Sequence, residues 1–173
     1  MAERRGILNA LGRLFRRPVA RTGPGRARTA DGGPGSGGPF ATRAVAPPRR
    51  LELQYAPDSD GAPDAGEIVW TWVPYVENDG RGKDRPVLVL AQAPGDWFYA
   101  VRLTGTARDG DPDYLAMGPG PWDSRGRPSW LDLSKVYAVH ARGMRREAAA
   151  LDRARFAKVA SALRTRYGWT IPK

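Results

Sequence analysis

Few of the side chains that carry most enzyme chemistry are present in this 173-residue sequence. It has no cysteine and one histidine, His140. That excludes disulfides, thiolate metal sites, cysteine nucleophiles and any single-chain site built on two histidines. The carboxylates sit mostly in turns, with no spacing that marks a metal site. Asp58, Asp60, Asp64 and Glu67 invite a calcium reading, but Pro63 falls inside the group and the glycine of a helix-flanked loop is missing. A solvated turn is the simpler reading. Arginine is what remains: of 28 basic residues, only Lys83, Lys135, Lys158 and Lys173 are lysine. The planar guanidinium suits phosphate, although a GC-biased genome would produce the same excess.

The net charge of +10 is unevenly spread. Residues 1–54 carry 11 basic and 3 acidic groups, residues 55–124 carry 5 and 12, and residues 125–173 carry 12 and 3. Such polarity favours an anionic partner at one surface, a phosphate polymer or anionic lipid. No run of 18 apolar residues exists to cross a membrane as a helix. The lack of cysteine suits a cytoplasmic chain.

Three segments follow from composition. Residues 1–18 place Ile7, Leu8, Leu11, Leu14 and Phe15 on one helical face among Arg4, Arg5, Arg13, Arg16 and Arg17, up to Pro18. This short basic amphipathic segment is either a frayed extension or a contact for a membrane or partner groove. Residues 19–56 are rich in Gly and Pro and poor in large apolar side chains, which predicts a disordered linker. Residues 57–173 form the domain. Strands are expected over 66–73, 87–90, 97–104, 129–133 and 135–139, with a polar loop over 75–84 and a hairpin turn at Gly95-Asp96. A helix is expected from Glu147 to Tyr167, stopped by Gly168. The class is mainly β: a small, strongly bent barrel or half-barrel capped by a helix.

Ordered along the chain are Gly66-Glu67-Ile68-Val69-Trp70, a glycine-bearing loop, Arg85-Pro86-Val87-Leu88-Val89-Leu90, Val101-Arg102-Leu103-Thr104 and Pro128-Ser129-Trp130-Leu131-Asp132-Leu133. A helix read over residues 145–167 completes the pattern. Residues 66–167 thereby resemble the PemK/MazF family of bacterial toxin ribonucleases. The resemblance implies an SH3-like barrel of the CcdB/MazF type and a homodimer. It also implies metal-independent, cofactor-free cleavage of single-stranded RNA, and inhibition by a small acidic antitoxin. It assigns Arg85 to proton transfer and phosphate binding, and Thr104 to hydrogen bonding in the transition state. Two departures stand out. Family members commonly have one residue between Gly and Arg-Pro, whereas Lys83 and Asp84 separate Gly82 from Arg85. Residues 108–126 are also unusually rich in Gly, Pro and Asp.

Cleavage by the RNA's own 2′-hydroxyl needs a proton removed, a proton delivered and donors for the phosphorane charge. A guanidinium grips phosphate with two hydrogen bonds and a nearby hydroxyl adds a third, so Arg85 and Thr104 on neighbouring strand ends suit the task. An ordinary arginine is a poor proton shuttle, which leaves Asp84 or Glu67 as alternative general bases. Lys83, Arg102, Arg125 and Arg127 are candidate phosphate contacts. Trp122 and Trp130 flank Gly/Pro/Arg-rich loops and either stack on bases or pack. His140 reads as structural. The alternative function is a non-catalytic module that binds nucleic acid or a protein on the same fold.

Overall fold

The computed structural model describes residues 38–57, 63–75, 77, 79 and 81–172. The amphipathic segment expected at residues 1–18, and the linker as far as residue 37, lie outside the described residues.

Among the described residues, eight strands, one α-helix and a single 3-10 turn (Ala141–Gly143, between β7 and β8) occur: β1 (Arg43–Val45), β2 (Glu67–Pro74), β3 (Gly82–Gln92), β4 (Trp97–Thr104), β5 (Tyr114–Gly118), β6 (Ser129–Asp132), β7 (Val136–His140), β8 (Met144–Ala150) and α1 (Arg153–Tyr167). The main sheet runs β1-β7-β4-β3-β2-β8, and β6 joins β4 with β5 outside it. All paired named strands are antiparallel. The chain is mainly β, a half-barrel sheet with one C-terminal helix, as the composition and periodicity predict.

Alternation along the strands sends side chains to two separate cores. Ile68, Leu88, Leu90, Val101, Leu103 and Leu131 meet Phe156, Val159 and Leu163 of α1 on one face. Val69, Val87, Val89, Ala100, Tyr137 and Val139 pack on the opposite, inner face. The helix begins at Asp152, whose carboxylate accepts from Arg155 N at 2.8 Å, and ends at Gly168 in the left-handed region.

Several expectations are corrected. The helix starts at Arg153, because residues 144–150 pair with β2 (Glu67 with Ala150, Trp70 with Arg145). An alanine-rich stretch with good helix propensity is thus drawn into a strand by tertiary pairing. β3 reaches back to Gly82, so part of the expected 75–84 loop is strand, and β5 falls in a stretch read as loop. The linker reading does not hold for residues 38–56. β1 pairs with β7, Leu53 is 1% exposed within the helix-side core, and Trp169 Nε1 donates to Pro48 O at 2.9 Å. A low apolar content misleads there, since three short anchors suffice to hold the segment against the domain.

Candidate active site

β3 is the central strand of the site. Its residues alternate so that Arg85, Val87 and Val89 share the inner face, with Val87 opposite Arg102 of β4. Continuing that register by two residues sets Thr104 across from Arg85. Thr71 of β2 flanks Arg85 on the other side. Arg85, Arg102 and Thr104 therefore lie on one face at one end of the sheet, and β6 closes the end by pairing Trp130 with Thr104.

Each polar group has a defined state. Arg102 Nε donates to Asp132 Oδ2 at 2.9 Å. The other oxygen of that carboxylate accepts from Ser134 N at 2.9 Å and Ser134 Oγ at 2.6 Å. Asp132 is 1% exposed, so this triple anchorage is what makes its burial tolerable. Arg85 is partly buried and forms no ion pair with another described residue. Thr104 Oγ1 accepts from Thr106 N at 3.2 Å, and no described residue accepts its proton.

The electrostatics differ between the two arginines. Burial, and then the positive charge of Arg102, push the proton affinity of Arg85 below its ordinary value. Burial also works against Arg102, but Tyr137, ionised at the high pH where a guanidinium titrates, and the hydrogen bond to Asp132 outweigh it and raise its proton affinity. The Tyr137 phenol is raised, by burial first and by Asp132 in the same direction, against the pull of Arg102 and Arg85. Its hydroxyl stays neutral and remains a donor.

The expected site residues divide clearly. Arg85, Thr104 and Arg102 come together, and Lys83 is exposed two residues from Arg85 on the same side of β3. Asp84 points to the opposite side by alternation and pairs with Arg145 at 2.9 Å. Glu67 stands four residues from Thr71 along β2, about 13 Å at ~3.3 Å per residue. It accepts from Asp64 N at 3.2 Å. Asp84 is thus turned away from Arg85, whereas Glu67 shares the inner face with Val69 and Thr71 at the other end of β2.

Trp122 is not a stacking platform. It is 3% exposed in the helix-side core, and its Nε1 donates to Ser129 Oγ at 3.2 Å. Trp130 is likewise buried, with Nε1 donating to Asp109 at 3.2 Å. Arg125 and Arg127 are exposed in the loop that leads into β6, and Arg127 is held by Asp123 at 2.8 Å. His140 packs between Phe40 and Trp97, and its Nδ1 accepts from Arg142 N at 3.1 Å. That is the structural role expected of it. Tyr137 was not singled out by the sequence, because a strand tyrosine carries no signal beyond packing. Among the described residues, no three His, Asp or Glu side chains group to hold a metal ion.

Residues 64–166 match the family described as PemK-like, MazF-like toxin of type II toxin-antitoxin system. The chain belongs to this family. Similar solved structures include an endoribonuclease in complex with its cognate antitoxin from a mycobacterial species. It is 22% identical with a TM-score of 0.48, over 62% of this chain and 96% of that one. A MazE–MazF structure from Deinococcus radiodurans is 24% identical with a TM-score of 0.46, over 62% and 96%. The toxin MazF-mt6 of Mycobacterium tuberculosis is 15% identical with a TM-score of 0.43, over 58% and 97%. No curated protein matches. For a PemK/MazF-like chain, β1 and the segment up to residue 56 are additions ahead of the matched residues.

Proposed function

We propose that this PemK/MazF-like protein is an endoribonuclease that cuts single-stranded RNA by attack of the 2′-hydroxyl, with Arg85 and Thr104 as catalytic residues and no metal. The observation that carries the reading is the placement of Arg85, Arg102 and Thr104 on one sheet face, with Arg85 unpaired among the described residues and lowered in proton affinity.

The guanidinium of Arg85 grips the scissile phosphate; once it has given up a proton to solvent, which burial and Arg102 favour, it takes the 2′-hydroxyl proton and passes it to the departing 5′-oxygen. The Thr104 hydroxyl donates to the developing phosphorane charge. Arg102, fixed through Nε by Asp132, adds a permanent positive charge to the same phosphate. One new bond forms between the 2′-oxygen and phosphorus as the bond to the 5′-oxygen breaks. The products carry a 2′,3′-cyclic phosphate and a free 5′-hydroxyl. Lys83, Arg125 and Arg127 contact flanking phosphates rather than read sequence. The extra residue before Arg85 does not obstruct this arrangement, because Asp84 is turned away and held by Arg145.

The active species is a homodimer, and the regulatory partner is a small acidic antitoxin whose charge complements this basic face. Incubation of unstructured RNA with wild type, Arg85→Ala and Thr104→Ala in excess EDTA tests the assignment. Cleavage by wild type alone is expected. Undiminished cleavage by Arg85→Ala rejects it. RNA binding that weakens with salt, without any cleavage at high protein concentration, selects a non-catalytic binding module.

A further inference from the structure

We infer that Tyr137 is a further catalytic residue of this site, its hydroxyl donating a hydrogen bond to a non-bridging oxygen of the scissile phosphate. The inference rests on the nuclease reading of the Arg85 face and adds a donor that neither the family match nor the sequence pattern supplies.

Tyr137 lies on β7 opposite Ala100 of β4, two residues along that strand from Arg102 on the same inner face. Its ring is 3% exposed and packs in the inner core with Val69, Val87, Val89, Phe98, Ala100 and Val139. All of those neighbours are hydrocarbon, so a phenylalanine would fill the position equally well. The hydroxyl forms no hydrogen bond with any described residue, whereas those of Tyr55 and Tyr167 do. Tyr55 Oη donates to Leu151 O at 2.7 Å, and Tyr167 Oη donates to Leu133 O at 2.6 Å. Trp72 Nε1 is the only fully buried side-chain polar atom without a partner among the described residues, so the Tyr137 hydroxyl itself keeps contact with solvent while its ring is buried. Packing alone gives no reason for a hydroxyl there.

What surrounds the hydroxyl indicates what it is for. On the inner face Tyr137 stands one inward-facing position along β4 from Arg102, and the charges of Arg102, Asp132 and Arg85 reach it. The single carboxylate of that group is already committed to Arg102 and Ser134. Arg85, the terminal nitrogens of Arg102, the Thr104 hydroxyl and the Tyr137 hydroxyl are then donors for which no described residue is an acceptor. Several donors on one face lacking an acceptor match an oxyanion with several oxygens, and a phosphodiester is the one this site would process. Tyr137 transfers no proton in this scheme. It remains a neutral phenol throughout and stabilises charge on the non-bridging oxygen as the 2′-oxygen bonds to phosphorus.

Tyr137→Phe in the full chain is the test, with Arg85→Ala as control. Single-turnover cleavage of unstructured RNA is expected to slow about 10- to 100-fold while the melting temperature is unchanged or raised. RNA carrying a phosphorothioate, whose sulfur accepts hydrogen bonds poorly, should penalise wild type more than Tyr137→Phe at one of the two diastereomers. Cleavage by Tyr137→Phe at the wild-type rate, or equal sulfur penalties in both proteins, overturns the inference. A 2′-deoxy oligonucleotide, which cannot be cut, separates this from failure of the nuclease reading. If wild type cleaves no RNA, that reading falls, and affinity for the deoxy strand decides the Tyr137 donor by itself. A roughly 2- to 5-fold weaker Kd in Tyr137→Phe supports the donor, and an unchanged Kd overturns it.

Discussion

Arg102 and Arg85 stand on adjacent strands of the inner face, and of the two only Arg102 is paired with a carboxylate among the described residues. The consequence is an asymmetric pair. Asp132 fixes one guanidinium as a permanent charge, and that charge, added to burial, loosens the proton of the other. Arg85 is therefore a residue that the fold tolerates rather than needs. Arg85→Met should abolish RNA cleavage and leave the melting temperature equal to or above that of wild type, since it removes a partly buried, unpaired cation next to a like charge. Asp132→Asn should do the reverse to stability, because it strands Arg102 without its counter-charge. A loss of about 3–5 kcal/mol in urea unfolding is expected. A destabilised Arg85→Met protein would show that Arg85 has a structural partner and is not held in reserve for a ligand.

Trp122 and the two arginines beside it separate packing from recognition. Trp122 lies in the core against the helix, so Trp122→Ala should cost about 3–5 kcal/mol in denaturant unfolding. Arg125→Ala and Arg127→Ala sit on exposed loop positions and should change stability by no more than about 0.5 kcal/mol. If these two arginines contact phosphate, each substitution should also flatten the salt dependence of RNA binding by about one counter-ion. A stable Trp122→Ala protein with weakened RNA binding would return that tryptophan to the RNA surface.

How much of this was legible in the sequence differs from residue to residue. Arg102 could be placed opposite Val101 and Leu103 by simple alternation, and the apolar run Val87–Leu90 read as a strand buried on both faces, as it is. The first turns of β3 could not be read. Gly82, Lys83 and Asp84 look like loop, yet Gly82 is there because the Trp72 ring and the Val73 carbonyl lie where a side chain would begin. Residues 145–150 carry helix propensity and only their pairing with β2 makes them a strand. Arg85 and Thr104 came from a family resemblance, and their shared face came from register. Tyr137 was invisible for a related reason. Its role depends on being across from Ala100 and near Arg102, a long-range pairing that no local pattern encodes.

The segment ahead of the family match makes a prediction about domain limits. Thr42 donates to Thr71 Oγ1 at 2.8 Å, and Thr71 passes its own proton to Gly143 O at 2.9 Å. Through that chain the N-terminal strand is tied to β2 at the level of Arg85. Leu53 fills the helix-side core, and Leu53 N donates to Thr170 O at 2.9 Å. Removing residues 1–37 leaves all of these contacts in place. Removing residues 1–56 should lower the melting temperature of the domain sharply, with loss of the Leu53 side chain alone worth about 2–5 kcal/mol. Matching melting curves for the two truncations would mean that β1 and Leu53 add nothing to the fold.

The buried phenol sets an alkaline limit that can be read without any substrate. In the folded chain Tyr137 titrates above its ordinary value of 10.0, chiefly because burial opposes the phenolate. In the unfolded chain it titrates near that ordinary value. Below about pH 10 both states hold the proton and Tyr137 contributes no pH dependence. Above it, the unfolded state releases the proton while the folded state retains it, so folding is progressively penalised until the raised folded value is passed. Tyr137→Phe has no proton to release and escapes this loss. The melting temperature of Tyr137→Phe minus that of wild type should be constant from pH 7 to 9 and widen in favour of the variant from pH 10 to 11. A difference that stays flat across the alkaline range would mean that the Tyr137 hydroxyl ionises as easily in the fold as in water.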